Sequence, residues 1–413
     1  MVPKRENLVA ADLVENMRET VPQERCGTTV TVLARLLDSG LLLLPGAITA
    51  AGFLVLSANG FNGIGTRSAT DFLLFVPWQT LGLTAAKFGV DAWVLSTGRG
   101  WAGASLSLTP LMLTRTLPVA ILAAVLVYSG STGMAAFVAA ASILADVIAL
   151  VLASEMSAHG HIRSAALSHF LRYPLFFLLV AALGEGGRIE DEWLYLLFLV
   201  SSIARLVFLL ILRPKNRTTD TEKPPTGRLA LQQILNYGLF KNDQLAFAGI
   251  SADAEHVRHA LTYLVRFPEI VSAIVVSLGP VIYPYFQKRL DSKVLIRVDV
   301  LTWVVAISAV FLCLAAFGYV AYAPTRLHIA WYVVGALVLH GAMILPVNNF
   351  TFNCFASGRN DLLIAALLKA NLSGIAIAAI ILSAFSHFPM SLLMIVPIQQ
   401  MIFLYFVGRG HPR

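Results

Sequence analysis

Residues 239–286 read LFKNDQLAFAGISADAEHVRHALTYLVRFPEIVSAIVVSLGPVIYPYF. Two apolar runs flank a short polar turn, ADAEHVRH, at 252–259, so the stretch predicts two helices running out and back. Ionisable groups sit inside both runs: Asp243 in the first, Arg266 and Glu269 in the second. Pro280 and Pro284 punctuate the end of the pair. A charge within a membrane helix is costly unless it faces an aqueous cavity or a partner. The pair therefore predicts a membrane segment that handles something polar.

The rest of the chain agrees. Of its 413 residues 57% are hydrophobic and only 13% are charged, and the mean hydropathy is +0.75. A water-soluble protein of this length needs more charge to cover its surface. Apolar runs of about 20 residues, the length that crosses a hydrocarbon core, recur throughout. The chain is expected to be an all-α, multi-pass integral membrane protein. The three cysteines, Cys26, Cys313 and Cys354, have no paired or metal-ligand spacing, and the last two read as small core residues. Residues 1–28 carry charges of both signs and no apolar core. They predict a cytoplasmic tail rather than a cleavable signal peptide.

Hydrophobic spans are expected at about 36–58 (with Pro45 and Gly46 as a kink), up to 95, 108–128, up to 153, 165–183 and 193–212. The polar run RPKNRTTDTEKPPTGR (213–228) has adjacent prolines and no apolar periodicity, so it predicts a linker. Six further spans follow at about 231–250, 259–285, 298–321, 329–352, 362–385 and 392–407. The expected organisation is a tail (1–28), an N-terminal six-helix lobe (29–213), a cytoplasmic linker (214–230), a C-terminal six-helix lobe (231–408) and a short tail (409–413). Lys and Arg concentrate in the segments on the side of the N-terminus, including Lys4, Arg5, Arg213, Lys215, Lys288, Arg289, Lys293 and Arg359. The opposite loops hold only Arg67, Arg188, Arg258 and Arg326. That asymmetry predicts both termini in the cytoplasm. It also assigns the net charge of +7 to topology rather than to nucleic-acid binding.

Three stretches carry a family resemblance. LGLTAAKFGVDAWVL ends the second span in a Gly-hydrophobic-Asp turn. The opening stretch places Asp243 before an acidic turn and a long helix closing on GPVIYPYFQKR. NNFTFNCFASGRNDLLIAALLKANLSGIAIA spans an Ala-Ser-Gly-Arg turn. Together they resemble the polysaccharide flippases of the multidrug/oligosaccharidyl-lipid/polysaccharide exporter superfamily, across nearly the whole order of spans. At the first span NGFNGIGTR stands in place of that family's Arg-aromatic-Leu-Gly turn. The resemblance implies about twelve helices in two six-helix lobes around a central cavity. It also implies a cargo, a prenyl-diphosphate-linked oligosaccharide, moved from the cytoplasmic to the outer leaflet of a bacterial inner membrane.

That task sets the chemistry. A diphosphate and its sugars lose their hydration in hydrocarbon, so a cavity must offer cations to the diphosphate and amides or aromatics to the sugars. The candidate cations are Lys87, Arg172, Arg266 and Lys369. Arg172 and Lys369 lie about 12 Å into their spans, where lining a cavity, snorkelling and ion pairing all remain open. Lys87 has Asp91 four residues on and suits either a ligand role or a local pair. Arg35 and Arg115 suit interfacial anchoring; Arg205 is deeper, with no motif around it. Asn348 and Asn349, with Asn353, suit sugar hydrogen bonds or helix packing. Asp243 and Glu269 are candidates for coupling transport to a proton or sodium ion, and Glu269 has the alternative of a self-neutralising pair with Arg266 at i,i+3. Asp38 and Asp146 are also intramembrane. His340, alone on an apolar helix, reads as a core residue.

No Gly-rich phosphate loop, HExxH or ATPase domain occurs, so no enzymatic activity, cofactor or metal is expected. The rival functions are a drug or cation antiporter of the same superfamily, which wants a cavity dominated by acids, and a membrane-embedded ligase or glycosyltransferase. The latter needs a sizeable folded loop, and the loops here are short.

Overall fold

The structure, a computed structural model, describes residues 44–58, 61–87, 90, 116–122, 124–125, 133–158, 161–185, 187, 189–212, 227–247, 250, 255–270, 272, 331–356, 359–384 and 389–409. Among these residues there are helices and turns and no strand. In chain order the helices are α1 (Leu44–Ser57), α2 (Thr66–Ala86), α3 (Gly133–Ala158), α4 (Ile162–Phe170), α5 (Tyr173–Gly184), α6 (Asp191–Leu212), α7 (Gly227–Phe247), α8 (Glu255–Leu264), α9 (Trp331–Ala356), α10 (Asn360–Ala384) and α11 (Ile395–Arg409). Five segments among the described residues are long and apolar enough to cross a membrane: Gly133–Ser157, Arg163–Gly184, Glu192–Leu212, Asn360–Ala384 and Pro389–Gly408. The tail at 1–28, Asp38, the ninth span and most of the linker lie outside the described residues.

Where they are described, the expected spans are helical with shifted ends, since apolar composition locates a helix better than it locates its caps; much of the third span and the end of the eighth also lie outside the described residues. α7 already includes residues 227–230 and α8 residues 255–258, ahead of the starts expected at 231 and 259. The fifth span holds the larger surprise. It is two helices, with Arg172 at the break in a non-helical conformation (φ −95°, ψ −95°). Pro174 is responsible: it has no N–H to give Phe170, and its ring crowds the preceding turn. The twelfth span likewise opens with a 3-10 turn, Pro389–Met394, before α11.

The N-terminal half is held by an aromatic core in which Phe72 of α2, Phe176 of α5 and Tyr195 and Phe198 of α6 interlock. The turn before α2 is pinned to the α5–α6 loop: Ile189 N–H donates to the Gly63 carbonyl at 2.8 Å. Gly63 adopts φ +78° there, a conformation that a side chain would disfavour. In the C-terminal half α7, α10 and α11 pack closely. Gly238 leaves room for Asn371, whose Nδ2 donates to the Leu235 carbonyl at 2.8 Å, while Asn242 donates to Asn371 Oδ1 at 3.0 Å. Gln399 donates to the Ala370 carbonyl at 3.2 Å. Cys354 is a buried residue of this core, and His340 is buried in α9.

The two halves meet along α2 and α7. At the ends where α2 and α8 begin, Leu74 joins Phe247, Leu261, Leu264 and Phe267 in one apolar cluster, with Leu54 and Ala58 of α1 packed against it. Beside that cluster Arg258 reaches Asp71 at 3.1 Å, and Thr70 Oγ1 lies 3.2 Å from His259 Nδ1. Deeper in, the Tyr237 hydroxyl donates to the Pro77 carbonyl at 2.7 Å.

Candidate functional site

Between the halves lies a cavity of about 560 Å³, within the size range of small-molecule sites. Pro45, Gly46, Thr49 and Phe53 of α1 and Val76, Pro77 and Thr80 of α2 form part of its wall. His169, Arg172, Tyr173 and Arg205 line it from the N-terminal half, and Tyr237, Lys241, Gln244, Arg266, Glu269 and Ser272 from the C-terminal half.

The N-terminal wall is built on Asp146, a fully buried carboxylate of α3. Its Oδ2 accepts from Arg172 at 2.8 Å, Ser202 at 3.3 Å and Gln79 at 3.4 Å. Gln79 ties the group together, donating also to Ser142 and accepting from Arg172 through Oε1 at 3.3 Å. The helix break between α4 and α5 delivers Arg172 to this position, and the guanidinium also lies over the Tyr173 ring at 4.5 Å. Arg205 of α6 completes the wall. Its NH2 group is 3.5 Å from His169 Nδ1.

The C-terminal wall is built on Glu269. Its Oε2 accepts from Arg266 at 2.6 Å, and its Oε1 accepts from Gln244 at 2.8 Å and from Lys241. Arg266 Nε donates to the Thr262 carbonyl at 3.2 Å, and the guanidinium lies over the Phe53 ring, 5.2 Å from its centroid. Tyr237, Lys241 and Gln244 are spaced i, i+4, i+7, so they share one face of α7. Asp243 falls off that face. It is buried, with Oδ1 accepting the Gln244 N–H at 2.7 Å and Oδ2 lacking any hydrogen-bond partner.

Of the residues expected at the site, Arg172, Arg266 and Glu269 come together around the cavity, and Asp243 sits just behind it. Lys87, Lys369 and Asn348 do not reach it. Lys87 caps α2, its N–H donating to the Leu83 carbonyl. Lys369 lies on the exposed stripe of α10 with Leu368 and Leu372, its ammonium 4.2 Å above the Phe406 ring. Asn348 turns back to the Ile344 carbonyl of its own helix at 2.9 Å. The side chain of Asn349 and the residue Asp91 lie outside the described set. The Arg266–Glu269 pair at i,i+3 exists, but it opens onto the cavity and is shared with Lys241. Lys241, Gln244, Tyr237, His169 and Tyr173 were not anticipated, and Arg205 had no motif to mark it. The i, i+4, i+7 spacing on α7 was the available signal. No group of His, Cys, Asp and Glu that could hold a metal occurs among the described residues.

No family model matches the chain, and no curated protein matches it. Among solved structures it is similar to the crystal structure of the eukaryotic MATE transporter AtDTX14, with 15% sequence identity over 91% of this chain and 95% of that one, at a TM-score of 0.63. It also aligns with an inward-facing conformation of a multidrug resistance MATE family transporter of the MOP superfamily, at 16% identity over 90% and 94% of the two chains and a TM-score of 0.49. The AtDTX14 likeness fixes the fold: an all-α membrane protein of the twelve-helix MATE architecture, as the spans predict.

Proposed function

We propose that the chain is a secondary transporter that flips a prenyl-diphosphate-linked oligosaccharide from the cytoplasmic to the outer leaflet of a bacterial inner membrane. Its two halves rock about the central cavity in alternating access. The observation that carries this reading is the charge of the lining. Among the described residues four cations (Arg172, Arg205, Lys241 and Arg266) line the cavity, and one carboxylate, Glu269, does. Such a lining attracts anions and repels cations, and the guanidinium forks suit phosphate oxygens. Phe53, Tyr173 and Tyr237 offer flat surfaces and a hydroxyl to sugars, and the prenyl tail stays in lipid. The chain acts as a transporter, not an enzyme.

The buried Asp243, with one oxygen unpartnered, is the better candidate for proton or sodium coupling; Glu269 is already held by Lys241, Arg266 and Gln244. The second reading, a drug or cation antiporter, is favoured by the shared fold with a MATE transporter and opposed by the cationic lining. Reconstitution tests the choice. Vesicles carrying the protein should expose a fluorescent prenyl-diphosphate saccharide to a membrane-impermeant quencher faster than empty vesicles. Equal rates would sink the flippase reading.

A further inference from the structure

Among the described residues, three of the four cavity cations already have a carboxylate. Arg172 is on Asp146 at 2.8 Å, Arg266 is on Glu269 at 2.6 Å, and Lys241 is on Glu269 as well. Arg205 is different. It is 1% exposed, it lines the cavity, and no carboxylate among the described residues lies within ion-pair distance of it. Its Nε has no hydrogen-bond partner. Among the described residues its one polar side-chain contact is the long approach to His169 Nδ1 at 3.5 Å. Because a guanidinium only donates, that imidazole nitrogen must accept, which leaves the ring proton on Nε2 as a further donor.

A buried cation without a counter-ion is among the costlier arrangements in a protein, and within a membrane such groups mark binding sites or pathways. Asp146 does not supply that counter-ion at contact distance: its Oδ2 is taken by Arg172, Ser202 and Gln79, and its Oδ1, which has no hydrogen-bond partner, forms no ion pair with Arg205. Arg172 Nε is itself unpartnered. Among the described residues, Arg172 and Arg205 against the single carboxylate Asp146 leave this wall with one positive charge in excess.

We propose that Arg205 is the principal anion ligand of the cavity, donating to a phosphate oxyanion together with the free edge of Arg172. This rests on the reading that the cargo is anionic, and it goes further by naming which wall takes the phosphate. The C-terminal cations, spent on Glu269, then serve the rest of the headgroup.

The test is binding to the full chain in detergent, using farnesyl diphosphate, farnesol, inorganic pyrophosphate and tetraphenylphosphonium as probes and wild type, Arg205→Gln and Arg205→Lys as proteins. Wild type should bind farnesyl diphosphate more tightly than farnesol, and more weakly as salt rises. Arg205→Gln should weaken farnesyl diphosphate binding by about tenfold or more, the scale of a charge-assisted hydrogen bond, and leave farnesol binding unchanged. Its melting temperature should be equal or higher, because an uncompensated buried charge is gone. A purely structural arginine would lower it. Arg205→Lys should keep part of the binding, so the proposal stays testable if the glutamine variant does not fold.

Farnesyl diphosphate binding by Arg205→Gln within twofold of wild type would overturn the assignment, as would a lower melting temperature with proportionate loss for every probe. Pyrophosphate bound as tightly as farnesyl diphosphate, and lost in Arg205→Gln, would support Arg205 as an anion ligand while counting against a lipid-linked cargo. Wild type that binds tetraphenylphosphonium and neither anion would overturn the anionic reading and this assignment together.

Discussion

Arg266 of the C-terminal half lies over the ring of Phe53 of the N-terminal half, its guanidinium carbon 5.2 Å from the ring centroid. Phe53 in turn meets Tyr173 edge-on at 5.1 Å, and Tyr173 lies under Arg172 at 4.5 Å. The cationic groups of the two walls are thus linked through aromatic rings rather than through an ion pair. Cation–ring contacts contribute about 0.5–2 kcal/mol each, strong enough to help align the halves.

Replacing Arg266 by Ala should abolish transport of the anionic lipid while the protein still inserts and folds. Glu269 keeps Lys241 and Gln244 in that variant, so its carboxylate is not stranded. The measurement is lipid flipping at matched protein density. Wild-type flipping by Arg266→Ala would remove the residue from the transport path.

The Arg172–Asp146 pair predicts the opposite balance of effects. Asp146→Ala leaves two guanidiniums on the N-terminal wall without a carboxylate and should lower stability by about 3 kcal/mol or more, the cost of breaking a buried pair. Adding Arg172→Gln should recover part of that loss, with a coupling of about 0.5–3 kcal/mol for residues in direct contact. Denaturant or thermal unfolding in detergent reads both. Strict additivity of the two substitutions would contradict the pairing.

How much of this was legible in the sequence depends on whether the partner was local. The Arg266–Glu269 pair was, because three residues of helix fix the geometry. The Arg172–Asp146 pair was not: its members lie on different helices, and the break that presents Arg172 comes from Pro174, a residue the apolar pattern passes over. Lys369 shows the reverse error. Its depth in the span matched that of Arg172, but depth says nothing about rotation about the helix axis, and it falls on the exposed stripe with Leu368 and Leu372. The all-helical architecture and the order of the described helices were readable because hydrocarbon thickness imposes long apolar spans.

Alternating access requires the contacts at the α2 and α8 ends to open. Thr70 and His259 approach to 3.2 Å across the halves, beside Asp71 and Arg258. Cysteines at both positions, Thr70→Cys with His259→Cys, should cross-link under mild oxidation and stop transport, and reductant should restore it. Transport that continues at full rate in the cross-linked protein would show that this end does not open.

Asp243→Asn removes an ionisable group whose Oδ2 has no partner and retains an oxygen for the Gln244 N–H. The variant should be at least as stable as wild type, yet its transport should no longer respond to an imposed proton or sodium gradient. Gradient-driven transport at the wild-type level by this variant would exclude Asp243 as the coupling group.

The central claim is that the cavity carries an anionic lipid headgroup rather than a cation. The most direct measurement is transport of both cargoes by one vesicle preparation: a fluorescent prenyl-diphosphate-linked saccharide in the bilayer and tetraphenylphosphonium in the medium. The cationic lining predicts protein-dependent flipping of the saccharide lipid with tetraphenylphosphonium flux no greater than in empty vesicles. Protein-dependent tetraphenylphosphonium flux with no flipping of the lipid would contradict it.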